Sequence, residues 1–316
     1  MTIALRTILL SCLLSLFMCL PGCIDWNNEF EQNTVTIEGK GTFTSIQSAI
    51  ENASEGDILR VGRGIYNETL IINKPLVLIG ESSENTIITS TDISFDYEHI
   101  VIRADNCTIN GFTIKTQSQP TNARGIYILS SNNILTNLTI SDYTYGIYLG
   151  SRSEQNNLSN NHLSGNYYAI YLTQADHNSI INNNITGNSY YGIYISASDS
   201  NYIADNHFTH NGNATRIKSA GKNRITHNVF SQNYRAAYFC CSAKDNIVYD
   251  NVFLNNDIPA DDSIGNQWDM DTLGNYWDDY NGTDDDGNGI GDTPYIIHDY
   301  RGIQDNYPLM TRPAGL

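Results

Sequence analysis

Residues 125–133 read GIYILSSNN, and five later stretches repeat the theme. They are GIYLGSRSE from Gly146, AIYLTQADH from Ala169, GIYISASDS from Gly192, ATRIKSAGK from Ala214 and AAYFCCSAK from Ala236. The spacings are 21, 23, 23, 22 and 22 residues, and a near-constant period of that size marks a stacked repeat. Within GIYI the two aliphatics share one face and the tyrosine takes the other, the period-two pattern of a strand. A second strand follows in each unit, LSNNHL, IINNNI, IADNHF, ITHNVF and VYDNVF, carrying Asn161, Asn183, Asn206, Asn228 and Asn251. A turn of roughly 22 residues with two or three short strands is one coil of a parallel β-helix, stacked on the next at ~4.8 Å with inward aliphatics as core. The asparagines share parity with the next inward apolar residue, so their amides can bond from coil to coil as a ladder. The expected fold class is therefore all-β, a solenoid of stacked coils.

Upstream, TSIQSAIENA (Thr44–Ala53) is the single helix candidate. Thr44 and Gln47 are placed as a capping box, and Ile46, Ala49, Ile50 and Ala53 share a face. Such a helix would cover the first coil, which otherwise exposes a sheet end. DILRV, ETLIIN and LVLIG would begin the stack. The organisation expected is a signal over 1–22, a linker over 23–33, the β-helix over 34–256 and an acidic closing segment over 257–316.

The leading MTIALR supplies one positive charge, and TILLSCLLSLFMCLPG is an apolar run too short for a comfortable membrane span. It ends in LPGC at Cys23, which resembles the lipoprotein signal of bacteria and archaea. There the cysteine becomes the lipidated first residue, so the resemblance implies a membrane partner through a lipid anchor and an extracytoplasmic location. Cys12 and Cys19 leave with the signal. The remaining Cys107, Cys240 and Cys241 are an odd number, so no disulfide framework is expected. Eight N-x-[ST] sequons, beginning with Asn52 and Asn67, permit glycosylation.

Net charge is −17, and 257–305 carries thirteen Asp, no Glu and one basic residue, Arg301, so −12 of it lies there. That acidity argues against a nucleic-acid partner, which requires a basic face.

The opening GTFTSIQSAIENASEGDILRVGRGIYNETLIINKPLVLIGE looks like the first segment of many right-handed β-helix proteins of carbohydrate chemistry. The repeats together with GNYWDDYNGTDDDGNGIGDTPYII…DNYPLM resemble the periplasmic copper-binding NosD family and its archaeal surface relatives. The resemblance covers most of the chain beyond the signal. It implies a right-handed β-helix outside the cytoplasm. NosD itself assists copper-site maturation of nitrous oxide reductase, so copper enters as a candidate cofactor.

Four constellations are candidates for chemistry. In GTDDDGNGIGDTPY, Asp284, Asp286 and Asn288 fall at positions 1, 3 and 5 of a calcium loop, with Gly289 at 6, the Ile290 carbonyl at 7 and Asp292 at 9. The glutamate of position 12 is replaced by Tyr295, so Asp278, Asp279 or Asp299 would complete a structural calcium shell. Tyr127, Tyr148, Tyr171, Tyr194 and Tyr238, interrupted by Arg216, occupy one outward coil position. Such a stripe can carry a polysaccharide, because sugar faces pack on aromatic rings, or can serve the sheet alone. His207, His210, His227, Cys240 and Cys241 are of types that suit copper. However, His162 and His207 stand two coils apart with Asn184 between them, and vicinal cysteines seldom chelate one ion together. RIK at Arg216–Lys218 is similar to one element of polygalacturonases, whose NTD and GHG elements are absent. The DPHD of mannuronan epimerases and the QDTL and DFIFG of pectin methylesterases are absent too. Asp261–Asp262 and Asp278–Asp279 lie beyond the repeats, and no catalytic residue is assigned. The reading is a surface or carbohydrate-binding protein. A polysaccharide lyase, epimerase or hydrolase and a copper-binding accessory protein are the alternatives.

Overall fold

The computed structural model describes residues 32–91, 94–117 and 121–316. Cys23 and the signal segment lie outside them. Three sheets of eleven, ten and nine strands run the length of the molecule, and successive strands of a coil pass from the first sheet to the second to the third. Coil-to-coil pairing is parallel and in strict register: Tyr127 faces Tyr148, which faces Tyr171, which faces Tyr194. The 22-residue period is this register, since each coil must bring the same side chain back to the same place.

Inward side chains form columns between the sheets. Leu135, Leu158, Ile180, Ile203, Ile225 and Val248 make one column behind the first sheet, and all are buried. Behind the second, Ile185 gives way to Phe208, Phe230 and Phe253. The three phenyl rings stack at 4.8 and 4.9 Å, Trp277 continues them at 4.2 Å and Tyr295 closes the stack at 4.1 Å. The core thus runs on into the acidic segment. Likewise the strands Ile258–Asp262 and Tyr276–Trp277 extend the third and second sheets beyond residue 256, where the sequence repeat fades.

Each coil turns three corners, and in the central coils one device recurs at each of them beside other left-handed turns. A residue at positive φ precedes an inward asparagine, as in Asn160, Asn182, Asp205, His227 and Asp250 (φ 55–57°) before Asn161, Asn183, Asn206, Asn228 and Asn251. At such a corner the backbone N–H points into the core, away from any strand partner, and must be satisfied there. The amide of Asn161 donates to Asn183 Oδ1 from both its backbone N and its Nδ2 (2.9 and 3.0 Å), and Nδ2 also reaches the carbonyl of Leu135. The ladder read from the sequence is therefore present, and two more stand beside it. One runs Asn133–Asn156–Asn178–Asn201–Asn223–Asn246–Asn266. The other runs Asn166–Asn188–Asn211–Asn233–Asn256. Two ladders end on carboxylates. Asn266 donates to Asp262 and Asn275 to Asp305, and an indole N–H, from Trp268 and Trp277 respectively, joins each.

The one α-helix of the described residues is Ile46–Asn52, with Ile46, Ala49 and Ile50 buried. Its cap is Ser45 rather than Thr44, and no capping box forms. Glu68 arrives from the second sheet's corner and accepts from Ser45 Oγ and from the amides of Ile46 and Gln47. Gln47 is thereby free to accept from Ile71 N instead.

Candidate functional site

The outer face of the third sheet carries two columns rich in tyrosine and arginine. One outward column holds Arg124, Tyr145, Tyr168, Tyr191, Asn213 and Arg235. A second, beside it, holds Tyr127, Tyr148, Tyr171, Tyr194, Arg216, Tyr238 and Asp261. The second column contains every tyrosine of the sequence-derived stripe. The first lies outside that stripe, although Tyr145, Tyr168 and Tyr191 recur at the same period.

The stripe is not a flat platform. Tyr148, Tyr171 and Tyr194 stack face to face at 4.8 and 4.9 Å, and Tyr145, Tyr168 and Tyr191 do so at 5.0 and 5.6 Å. Between columns the rings meet edge to face, Tyr168 on Tyr171 at 5.3 Å. Ring faces are consumed by other rings, so what the surface offers is a grid of phenol edges and hydroxyls. Burial pushes Tyr171 up to about 12 and raises Tyr145, Tyr148, Tyr168 and Tyr191 as well. These phenols stay protonated at neutral pH and can donate hydrogen bonds; none is poised as a base.

Cations bracket the grid. Arg124 lies 5.0 Å from the ring centres of Tyr127 and Tyr148 and faces Glu98 at 3.4 Å. Arg235 lies 4.3 Å from Tyr238 and faces Asp261 at 3.4 Å. Arg216 sits among Tyr191, Tyr194 and Tyr238 and donates to Tyr191 Oη at 2.7 Å and to Cys240 Sγ at 3.4 Å. It has no carboxylate partner among the described residues, and Lys218 follows on the same outward face. The only carboxylates in these two columns and their capping pairs are Glu98 and Asp261, seven rungs apart, or ~34 Å at the strand spacing. A glycosidase pair requires separations of about 5–9.5 Å.

A family model described as periplasmic copper-binding protein (NosD) matches residues 81–282. The chain belongs to the NosD family. It is 37% identical over 109 residues to a cell surface glycoprotein of Methanothermus fervidus, a match covering 33% of this chain and 17% of that protein. It is 33% identical over 90 residues to a probable ABC transporter binding protein NosD of Pseudomonas aeruginosa, covering 28% and 21%. The matched segments thus span about a fifth of these relatives' lengths. Among solved structures, an alginate lyase from a Paenibacillus species superposes with a TM-score of 0.54 at 17% identity, over 70% of this chain and 91% of that one. A phage tailspike solved with oligosaccharides of an Acinetobacter baumannii surface polysaccharide gives 0.56 at 12%, over 69% and 45%. These likenesses establish a parallel β-helix. The family description and the surface glycoprotein support an extracytoplasmic location.

The copper ligands expected in this NosD-family chain do not come together. His207 stands on the outer face of the second sheet, in register with Asn184 and Val229. His210 and His227 are corner residues at φ 56°, in slots that Asn, Asp, Gly or Gln fill in other coils. His227 Nδ1 is held by Asp205 Oδ1 at 2.5 Å. Cys240 and Cys241 end a strand of the third sheet. His210, His227 and Cys241 sit at positive-φ corners, and the five residues do not converge on one copper site. No group of three His, Cys, Asp or Glu side chains able to hold an ion occurs among the described residues.

In the acidic loop, Asp284 accepts from the amides of Asn288 and Gly289, which hold its carboxyl below the usual range. Asp286 accepts from Asn288, and Asn288 Oδ1 accepts from Ile290 N. Asp292 accepts from Asp285 N and Thr283 Oγ1.

Proposed function

We propose that this NosD-family β-helix acts outside the cytoplasm by binding an anionic polysaccharide along the tyrosine–arginine face of its third sheet, without cleaving it. The observation that carries this is Arg216, a guanidinium free of carboxylates on a protein of net charge −17, set among protonated phenols with Lys218 alongside. Guanidinium forks suit carboxylate and sulfate groups, and the phenol grid supplies donors for sugar hydroxyls. The chain would lie along the stack, crossing Arg124, Arg216 and Arg235 in turn.

The test is a glycan array probed with the full chain in detergent micelles. Uronate or sulfated glycans should be retained, released by raised salt, and lost in Arg216→Gln; equal retention of neutral glycans would sink the reading. Appearance of reducing ends or unsaturated uronate would convert the protein to a hydrolase or lyase.

Three finer features belong to the same proposal. The wind is right-handed, as parallel crossovers almost always are, with the Ile46–Asn52 helix covering its first coil. Cys23 carries a lipid anchor, so Cys23→Ser should move the protein from the membrane to the soluble fraction. Asp284, Asp286, Asn288, the Ile290 carbonyl and Asp292 contribute oxygens to a structural calcium ion. Identical melting of the native protein in calcium and in chelator would remove it.

A further inference from the structure

Cys240 ends the strand Arg235–Cys240, and Cys241 is the next residue. On an extended chain two neighbours point to opposite faces. Here Cys241 and Ser242 adopt φ of 57° and 68°, and this corner turns both thiols to one side, Sγ to Sγ 3.1 Å. Neither position requires a cysteine. In neighbouring coils the slot of Cys240 holds Thr173, Ser196 and Lys218. The left-handed corner of Cys241 is filled there by Gln174, Ala197 and Ser219. The other cysteine of the described residues, Cys107, is by contrast a buried core residue.

We infer that Cys240 and Cys241 form a reversible peroxide-sensing dithiol, with Cys241 as the attacking sulfur and Cys240 as the resolving one. Cys241 is exposed, whereas Cys240 is buried and receives an N–H from Arg216. The two thiols share a hydrogen bond, and the contact with Cys240 is the main cause that lowers the Cys241 thiol, with Arg216 and Lys218 adding to it. Burial raises Cys240. An exposed cysteine of lowered pKa beside a buried partner thiol is the arrangement of redox-sensor cysteines.

The chemistry balances with hydrogen peroxide as oxidant. The Cys241 thiolate attacks one peroxide oxygen; an S–O bond forms, the O–O bond breaks, and hydroxide leaves to be protonated to water. Cys240 then gives up its proton and attacks Cys241 Sγ. The S–S bond forms, the S–O bond breaks, and a second water departs. Two thiols lose two electrons and one peroxide becomes two waters. Adjacent Cα atoms are about 3.8 Å apart, below the roughly 4.4–6.8 Å of ordinary disulfides, so the closed ring is strained and small thiols reopen it.

Trypsin cuts after Arg235 and Lys244, which isolates both cysteines in AAYFCCSAK. The full chain is treated with dilute peroxide, free thiols are alkylated, and this peptide is weighed. The expected result is loss of two hydrogens with no alkyl group added, and recovery of both thiols after dithiothreitol. Cys240→Ser should stop at a sulfenic acid on Cys241 that dimedone traps; serine already occupies the equivalent slot at Ser196, so the coil tolerates it. A doubly alkylated peptide, an oxygen retained on Cys241 of the native chain, or a peptide linked to a second chain would each overturn the inference. The readout is independent of glycan binding.

Discussion

Replacing Asn206 with Ala is expected to lower stability by about 3–5 kcal/mol, among the largest effects of any single substitution in this chain. Asn206 lies at the middle of its ladder and is fully buried. Its Oδ1 accepts from the backbone N and the Nδ2 of Asn183, and its Nδ2 donates to Asn228 Oδ1 and to the carbonyl of Ile180. Truncation leaves the corner amide of Asn183 with no acceptor and no water, and each orphaned buried group costs about 1–3 kcal/mol. Two comparisons separate the ladder from the corner. Asn256 ends its ladder half-exposed, so water can replace it and Asn256→Ala should cost only about 1 kcal/mol. Gln155 is an exposed corner residue at φ 56°, where Gln155→Gly relieves a left-handed conformation and should be near neutral. Urea midpoints of the three variants decide it. Equal losses at Asn206 and Asn256 would mean that the amides are spacers and their hydrogen bonds are dispensable.

The same ladders show what the sequence could and could not disclose. Period and parity placed Tyr127 to Tyr238 in one column and Asn161 to Asn251 in another, because a solenoid returns equal residues to equal places. The ladders of Asn178 and Asn188 obey the same period and were equally legible. Asp262 and Asp305 were not, since each reaches its ladder through an irregular excursion; Asp305 comes back from thirty residues beyond Asn275. The stacking of Tyr148 on Tyr171 depends on side-chain rotation, which periodicity does not encode, and it turns a presumed platform into an edge-on grid. His210 and His227 suggest ligands by residue type, whereas in the fold both occupy corners at positive φ. The pairing of Cys240 with Cys241 turns on φ as well. Arg235 and Asp261 joined the candidate face because the third sheet continues past the last recognisable repeat.

Acidification should loosen one end of the solenoid and tighten the other. His99, near the first coils, is fully buried; its Nδ1 meets Tyr143 Oη at 2.5 Å and its Nε2 the carbonyl of Glu68 at 2.9 Å. Burial lowers it from 6.5 to about 4. The unfolded chain therefore binds that proton first, and the stability His99 contributes is present above pH 6.5 and lost as pH falls toward 4. Asp305, at the far end, is likewise buried, and burial pushes it up from 3.8 to about 6 despite the N–H groups of Asn275, Trp277 and Tyr307. Here the folded chain binds the proton first, so the contribution is full below pH 3.8 and lost as pH rises through 6. Each shift corresponds to about 3 kcal/mol, with opposite sign, so the two largely cancel in a global midpoint between pH 4 and 6.5. Single variants should expose them. Asp305→Asn leaves the His99 term alone, and its stability relative to native should fall as pH drops from 7 to 4.5. His99→Gln should do the reverse. Amide exchange on the native chain should show protection falling around Ile100 and rising around Trp277 over the same interval. Parallel pH profiles for both variants and the native protein would show that neither buried group governs the ends of the stack.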